Sequence, residues 1–313
     1  MKRTLTALAT IALIAAPAAL AEGKAYSVSD FDSIEVGAAM HVVYKSGNDT
    51  SVRVETSSGD YSDALIETRG DTLHVSRNSV SKKRGWSWFG GGQSINVSDD
   101  GKTIKVNGKK VPVYTVYVTA PDLDSVKASQ SSRFTSQTIN GGSIDISASS
   151  SAEIKVAGSV SEARLSASSS GELDAGGLKA GSAKISASSS GEVDAAVTGT
   201  GDTNISASSS GEVKLASAAA ASFVVSASSG AGVELAGACN SISVSASSGA
   251  EVDGEGLQCK SATVNASSGA DVELYATGSA SGNASSGAAV SFAGKPTLQD
   301  GSKSSGGSVS FTN

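Results

Sequence analysis

The sequence predicts an all-β chain, a parallel β-solenoid with rungs of about 20 residues, entered through an irregular β-rich N-terminal portion. Three observations carry this reading. The first is a repeat. The stretch Ser186-Ala187-Ser188-Ser189-Ser190-Gly191-Glu192-Val193 recurs with its first residue at Ser147, Ser166, Ser186, Ser206, Ser226, Ser245, Asn265 and Asn283. A weaker copy opens at Lys127, one step before Ser147. A near-constant period in this range marks a repeat architecture. The second is a constant offset of apolar residues. Ile146, Leu165, Ile185, Ile205, Val225, Val244 and Val264 each precede an anchor, and at a fixed place beyond the anchors stand Ile154, Leu173, Val193, Val213, Val233, Val252, Val272 and Val290. The third is composition. Only 4% of the 313 residues are aromatic and 36 are Gly, which suits small side chains buried rung by rung and argues against one large core.

The elements follow in chain order. Lys2 and Arg3, the apolar run from Leu5 to Leu20 and the small residues Ala19-Leu20-Ala21 read as a secretory signal peptide cut after Ala21. The apolar run is shorter than the roughly 20 residues a membrane span needs, and no later segment is apolar enough to span a bilayer. The expected location is therefore outside the cytoplasm, in the periplasm or at the cell surface. Residues 22–313 are expected to form a single solenoid domain. Within it, residues 26–120 form irregular rungs. Ser33-Ile34-Glu35-Val36, Met40 to Tyr44, Ser51 to Glu55, Thr72 to Ser76 and Thr115 to Thr119 largely alternate apolar and polar residues, the period of half-buried strands. An inserted loop and hairpin interrupts them at about residues 78–111. Its hairpin, Ile95 to Val106, turns at Asp99-Asp100-Gly101-Lys102, where Asp-Gly favours a tight turn. Its loop, residues 82–93, carries Trp86, Trp88 and Phe89 between glycines. These three rings are a candidate platform for a sugar or a partner surface. The competing reading is that they cover one flank of a core short of aromatic area.

Residues 121–295 are the regular repeats, and 296–313 are expected as a C-terminal tail. Side chains alternate faces along a strand, so the residue before each anchor, the recurring Ala after it and the Val beyond the turn all point inward. The intervening Ser-Ser-(Ser)-Gly is a turn, with Gly expected to supply positive φ. Cys239 and Cys259 stand at the same offset before the anchors Ser245 and Asn265, so they share one site on adjacent rungs. Rungs about 5 Å apart are within disulfide reach, and export provides the oxidising compartment, so the two are expected to form a bridge.

The outward positions carry an acidic ladder. Just past the turns stand Glu153, Glu172, Glu192, Glu212, Glu251 and Asp271, and at the next outward position come Asp174, Asp194, Glu234, Asp253 and Glu273. Glu172, Asp174, Glu192 and Asp194 are the candidate metal ligands, and Ca²⁺ is the cation such oxygens would take. The other reading is a solvated face that keeps the solenoid soluble, and the Gly-rich calcium-binding repeat of β-rolls is absent. No further cofactor is expected.

Catalytic signatures are wanting. His41 and His74 are the two histidines, each set in a strand, and no Cys/His pair has zinc-site spacing. The Ser-Gly steps do not match a nucleophile elbow. A net charge of −6 disfavours nucleic acid, which needs a basic surface.

Phe31-Asp32-Ser33-Ile34-Glu35-Val36-Gly37, Val42 to Gly47, Val52-Arg53-Val54-Glu55, Pro121-Asp122-Leu123-Asp124-Ser125-Val126 and the Ser-Ser-Gly turns resemble the auto-transporter adhesin, head GIN domain family over roughly residues 30 to 290. The resemblance implies a right-handed β-helix of pectin-lyase-like shape, no established catalytic residues and a role in adhesion. The Gly-Ile-Asn of the family's name is here Gly37-Ala38-Ala39. The expected function is an exported, non-enzymatic adhesion or binding module of the bacterial cell envelope, meeting a polysaccharide or a protein surface. A structural periplasmic protein and a carbohydrate-active enzyme are the alternatives.

Overall fold

A computed structural model describes residues 23–81, 94–98 and 101–312. Among them the only helix is the single turn Asn78–Ser81, and the rest of the regular structure is β. The expected signal peptide lies outside the described residues.

The repeats stack in parallel and in register. Ser186 pairs with Ser206 and Ser206 with Ser226, while Val193 pairs with Val213 and Val213 with Val233. Long strands such as Arg133–Ser149, Glu153–Ser168 and Glu172–Ser188 run from one flat face, round a bend, to the next. The ladder register shifts at the bends, between Ser136 and Ile139 and between Lys155 and Ala157. One outer face carries the anchor serines and is called the serine face below. The face beginning at Arg133, Glu153 and Glu172 is the carboxylate face.

A single core cluster extends from Phe31 to Phe292. It is built from in-register columns, so that Ile185, Ile205 and Val225 lie over one another and each is 1% exposed. Burial of such a stack is the main stabilising term of the fold, at about 25 cal/mol per Å² of apolar surface.

The corner between the two faces departs from the expected role of glycine. In the Ser-Ser-Ser-Gly rungs the serines themselves take positive φ, as at Ser169 (52°), Ser170 (60°), Ser189 (50°) and Ser190 (60°). The glycine that follows is needed for space instead. A Cβ on Gly171 would come 2.5 Å from the Ala148 carbonyl oxygen, and one on Gly211 would come 2.5 Å from that of Ala187. In the Ser-Ser-Gly-Ala rungs the roles change. Gly230, Gly249 and Gly269 hold positive φ, and Ala231, Ala250 and Ala270 fill the inner position. Backbone bonds carry the ladder through these corners, from Ser131 N–H to Ser150 O at 3.0 Å through to Gly287 N–H to Ser305 O at 3.2 Å.

The N-terminal portion is stacked out of chain order. Ser33–Val36 lies between Thr72–Arg77 and Ser125–Ala128 on the serine face. His41–Ser46 lies between Thr115–Ala120 and Arg133–Ser149 on the carboxylate face. The chain thus makes its second rung before its first. Antiparallel strands close this end. Ala64–Arg69 pairs with Thr72–Arg77, and Ser51–Glu55 pairs with both Thr115–Ala120 and Lys24–Tyr26. The strands of the expected hairpin pair with Ile95 opposite Val106, its turn residues Asp99 and Asp100 lying outside the described residues, and Lys109–Val111 adds a third strand. The turn before that strand is Asn107-Gly108, both at positive φ, as a two-residue hairpin requires. Residues 296–313, expected as a tail, include the strands Leu298–Lys303 and Ser308–Phe311, which pair with the rung before them.

Candidate functional site

Two surfaces and one corner concentrate the chemistry. The corner is Gly37-Ala38-Ala39, the first in the series. Ala38 and Ala39 have φ of 57° and 53°, so they repeat the conformation of the serine corners. The Ala39 N–H donates to Gln130 O at 2.9 Å and joins this corner to the next. Ala39 also packs with Ile104 and Val106 of the three-stranded insert.

Arg77 holds this corner from inside. Its side chain is 0% exposed. Nε donates to Ala38 O at 2.8 Å, Nη1 lies 3.3 Å from Asp63 Oδ2, and the guanidinium sits 4.9 Å over the Tyr114 ring. Asp63 in turn accepts from the Ser79 N–H at 2.8 Å and from the Ser79 hydroxyl at 3.1 Å. Tyr114 donates to Asp60 O at 2.9 Å, and its phenol is pushed up to about 12, first by burial and then by Asp63. A guanidinium is the one cation able to bridge a carbonyl, a carboxylate and an aromatic face at once. The residue was legible in part: in Thr72-Leu73-His74-Val75-Ser76-Arg77 it shares the parity of the buried Leu73 and Val75.

On the carboxylate face Glu172 pairs in register with Glu192, and Asp174 with Asp194. Cations bracket the Asp174–Asp194 pair, Lys155 one rung before it and Lys214 one rung after it. Lys155 binds Asp174, Lys214 lies 3.1 Å from Glu192 and 2.9 Å from Glu212, and Arg133 donates to Glu153. Beyond these rungs the cations stop. Among the described residues Glu234, Glu251, Asp253, Asp271 and Glu273 make no ion pair. Partial burial and then Asp174 raise the Asp194 carboxyl, while burial followed by Glu255 and Asp271 raises that of Glu273. Among the described residues no three His, Cys, Asp or Glu side chains come together as a metal would require.

The serine face is flat and small-featured. A shallow trough of about 420 Å³ runs over Ser206, Ser226, Ser245 and Asn265. Asn265 and Asn283 form a short amide ladder, Asn283 Nδ2 donating to Asn265 Oδ1 at 3.0 Å. A second hollow, of about 600 Å³, is ringed at the capped end by Asp30, Asp32, Asp49, Asp71 and Asp122.

The histidines are engaged locally. His41 Nε2 lies 3.4 Å from Thr135 Oγ1, and its pKa is lowered by burial and then by Arg133. His74 Nδ1 lies 3.2 Å from Glu35. Cys239 and Cys259 form the expected disulfide, with Cα atoms 4.3 Å apart. It crosses a gap in the ladder, because pairing runs through Ala238–Gln258 and resumes only at Ser241–Ser261. Trp86, Trp88 and Phe89 lie outside the described residues.

Similar chains occur among solved structures. A crystal structure from Parabacteroides merdae described as "a putative adhesin" is 13% identical, covering 93% of this chain and 95% of that one, with a TM-score of 0.43. One from Parabacteroides distasonis described as "putative lipid binding protein" is 18% identical, covering 93% and 96%, with a TM-score of 0.41. A "putative adhesin" from Bacteroides fragilis is 11% identical, covering 95% and 99%, with a TM-score of 0.32. No curated protein matches the chain. The sequence model described as "Putative auto-transporter adhesin, head GIN domain" matches residues 30–218 and 197–296. With most of its length matched, the chain belongs to the head GIN domain family.

Proposed function

We propose that the protein is an exported, non-enzymatic binding module of the cell envelope whose long flat faces meet a polysaccharide or a protein surface. The observation that carries this is the continuity of the serine face. Ser186, Ser206 and Ser226 stand in register, one rung apart, and the trough over them is shallow. Small-molecule sites are concave and largely apolar, whereas a ladder of hydroxyls about 4.8 Å apart suits an extended partner with its own repeat. Family membership supports the same reading.

The test is a binding screen of the mature chain against glycan arrays and isolated envelope fractions. Bulky charged substitutions on the serine face, Ser206→Glu with Ser226→Glu, are expected to abolish capture. If capture instead fails on Trp86→Ala with Trp88→Ala and survives the serine changes, the contact lies at those tryptophans. Capture by nothing in the screen would favour a purely structural envelope protein, and product release from a polysaccharide panel would favour an enzyme.

A further inference from the structure

The inward columns of the serine face change character at one rung. The alanine column reads Ala246, Ala266, Ala284 and then Lys303. Its neighbour reads Ile242, Ala262, Ala280 and then Gln299. The column between them reads Val264, Gly282 and then Gly301. Two inward positions that hold alanine in the preceding rung thus become an amide and an ammonium, the position between them is glycine from Gly282 on, and Leu298–Lys303 is exposed throughout.

The core is closed here from the opposite face. Phe292 and Phe311 stack at 5.3 Å, and they reach into the space the glycines vacate. A Cβ on Gly282 would come 2.9 Å from the Phe292 ring and 3.1 Å from Val309, and one on Gly301 would come 3.4 Å from the Phe311 ring. The two aromatics therefore fill the solenoid up to this rung without any help from the serine-face side chains. Gln299 is turned to its own strand entry, its amide donating to Pro296 O at 3.1 Å.

An exposed strand edge is a template for further pairing, and an inward-pointing charge is one way to blunt it. A rung laid on Leu298–Lys303 would continue the alanine column over Lys303 and enclose its ammonium among apolar side chains. Burial of an unpaired charge is strongly unfavourable. We infer that this rung is a built-in end stop, in which Lys303 and Gln299 prevent another rung, from a second copy or any other β-chain, from stacking on this end. The stop makes the faces, and not this end, the surfaces through which the protein engages others.

The test uses the full chain with a Ser302→Cys probe at the same edge, oxidised across a concentration series. With Lys303 and Gln299 in place, intermolecular cross-linking should stay at background. In the Gln299→Ala/Lys303→Ala background it should rise at least about tenfold, with a matching dimer in sedimentation velocity. Lys303→Arg should behave as the parent, because it keeps the charge. Lys303→Ala alone, a change at an exposed side chain that leaves Gln299 in place, should give an intermediate yield. Equal cross-linking in parent and double variant, whether low or high, would overturn the inference.

Discussion

The capped N-terminal portion and the serine repeats solve the same problem with opposite means. The repeats stack near-identical small residues, so each rung depends chiefly on its two neighbours. The cap encloses large, unlike side chains. Phe31, Met40, Tyr44, Tyr114 and Arg77 are all buried there, and each contact is made once. Along a column the same residue recurs rung after rung, whereas the Ala38 carbonyl of the corner at Gly37-Ala38-Ala39 takes its side-chain donor from one guanidinium.

The largest effect is expected at that guanidinium. Arg77→Met leaves Asp63 without its cation and Ala38 O without a donor, and breaking a buried pair in this way costs about 3–5 kcal/mol. Equilibrium unfolding with hydrogen exchange should show protection lost around Ala39, His41 and Tyr114 and kept at Ile205 and Val225. Uniform loss across the repeats would erase the distinction between the two regions.

The disulfide comes next. A bridge closing a loop with a sequence separation of 20 contributes about 3 kcal/mol in the chain-entropy model. Cys239→Ser with Cys259→Ser should lower stability by that order. Because the bridge spans a break in the backbone ladder, exchange should quicken first at residues 237–261. A thiol assay on the denatured, unreduced protein should find no free thiol.

The serine corners should yield a smaller change of opposite sign. A non-glycine residue at positive φ costs about 1–2 kcal/mol, and Ser190 has φ of 60°. Ser190→Gly should therefore raise stability by about 1 kcal/mol, after the entropy of glycine is allowed for. Gly191→Ala should destabilise, since its Cβ has no room beside the rung below.

The smallest effect concerns pH. The carboxyls of Asp194 and Glu273 are raised in the folded state, so the folded protein holds more protons than the unfolded chain near those values. Their contribution to stability grows as pH falls through the raised values and is lost as pH rises above them. The lowered pKa of His41 works the other way, costing stability as pH falls, so the carboxyl contribution is read as the acid-induced gain in melting temperature that Asp194→Asn with Glu273→Gln loses relative to the parent. Added salt should reproduce part of the gain by screening the carboxylate face.

Legibility in the sequence followed the same divide. The repeat register, the inward Val and Ala columns and the cysteine pair are carried by a period that any one copy reinforces. Lys303 is legible too, one repeat step after Ala284 in a column that never otherwise holds a charge. The stacking of Thr72–Arg77 and Thr115–Ala120 outside Ser33–Ser46 is not, because those strands pair across long separations and nothing local records the order. The glycine after Ser-Ser-Ser misled for a physical reason. Sequence shows that glycine is present, but only the neighbouring backbone shows whether it is needed for its φ or for its missing Cβ.

Successive rungs lie in register, like on like, and cysteine cross-linking probes that register at single residues. Ser186→Cys with Ser206→Cys, paired on adjacent rungs, should close an intramolecular disulfide on oxidation, while Ser186→Cys with Ser226→Cys, two rungs apart, should stay open. Failure of the first pair to close, or equal closure of both, would contradict the account.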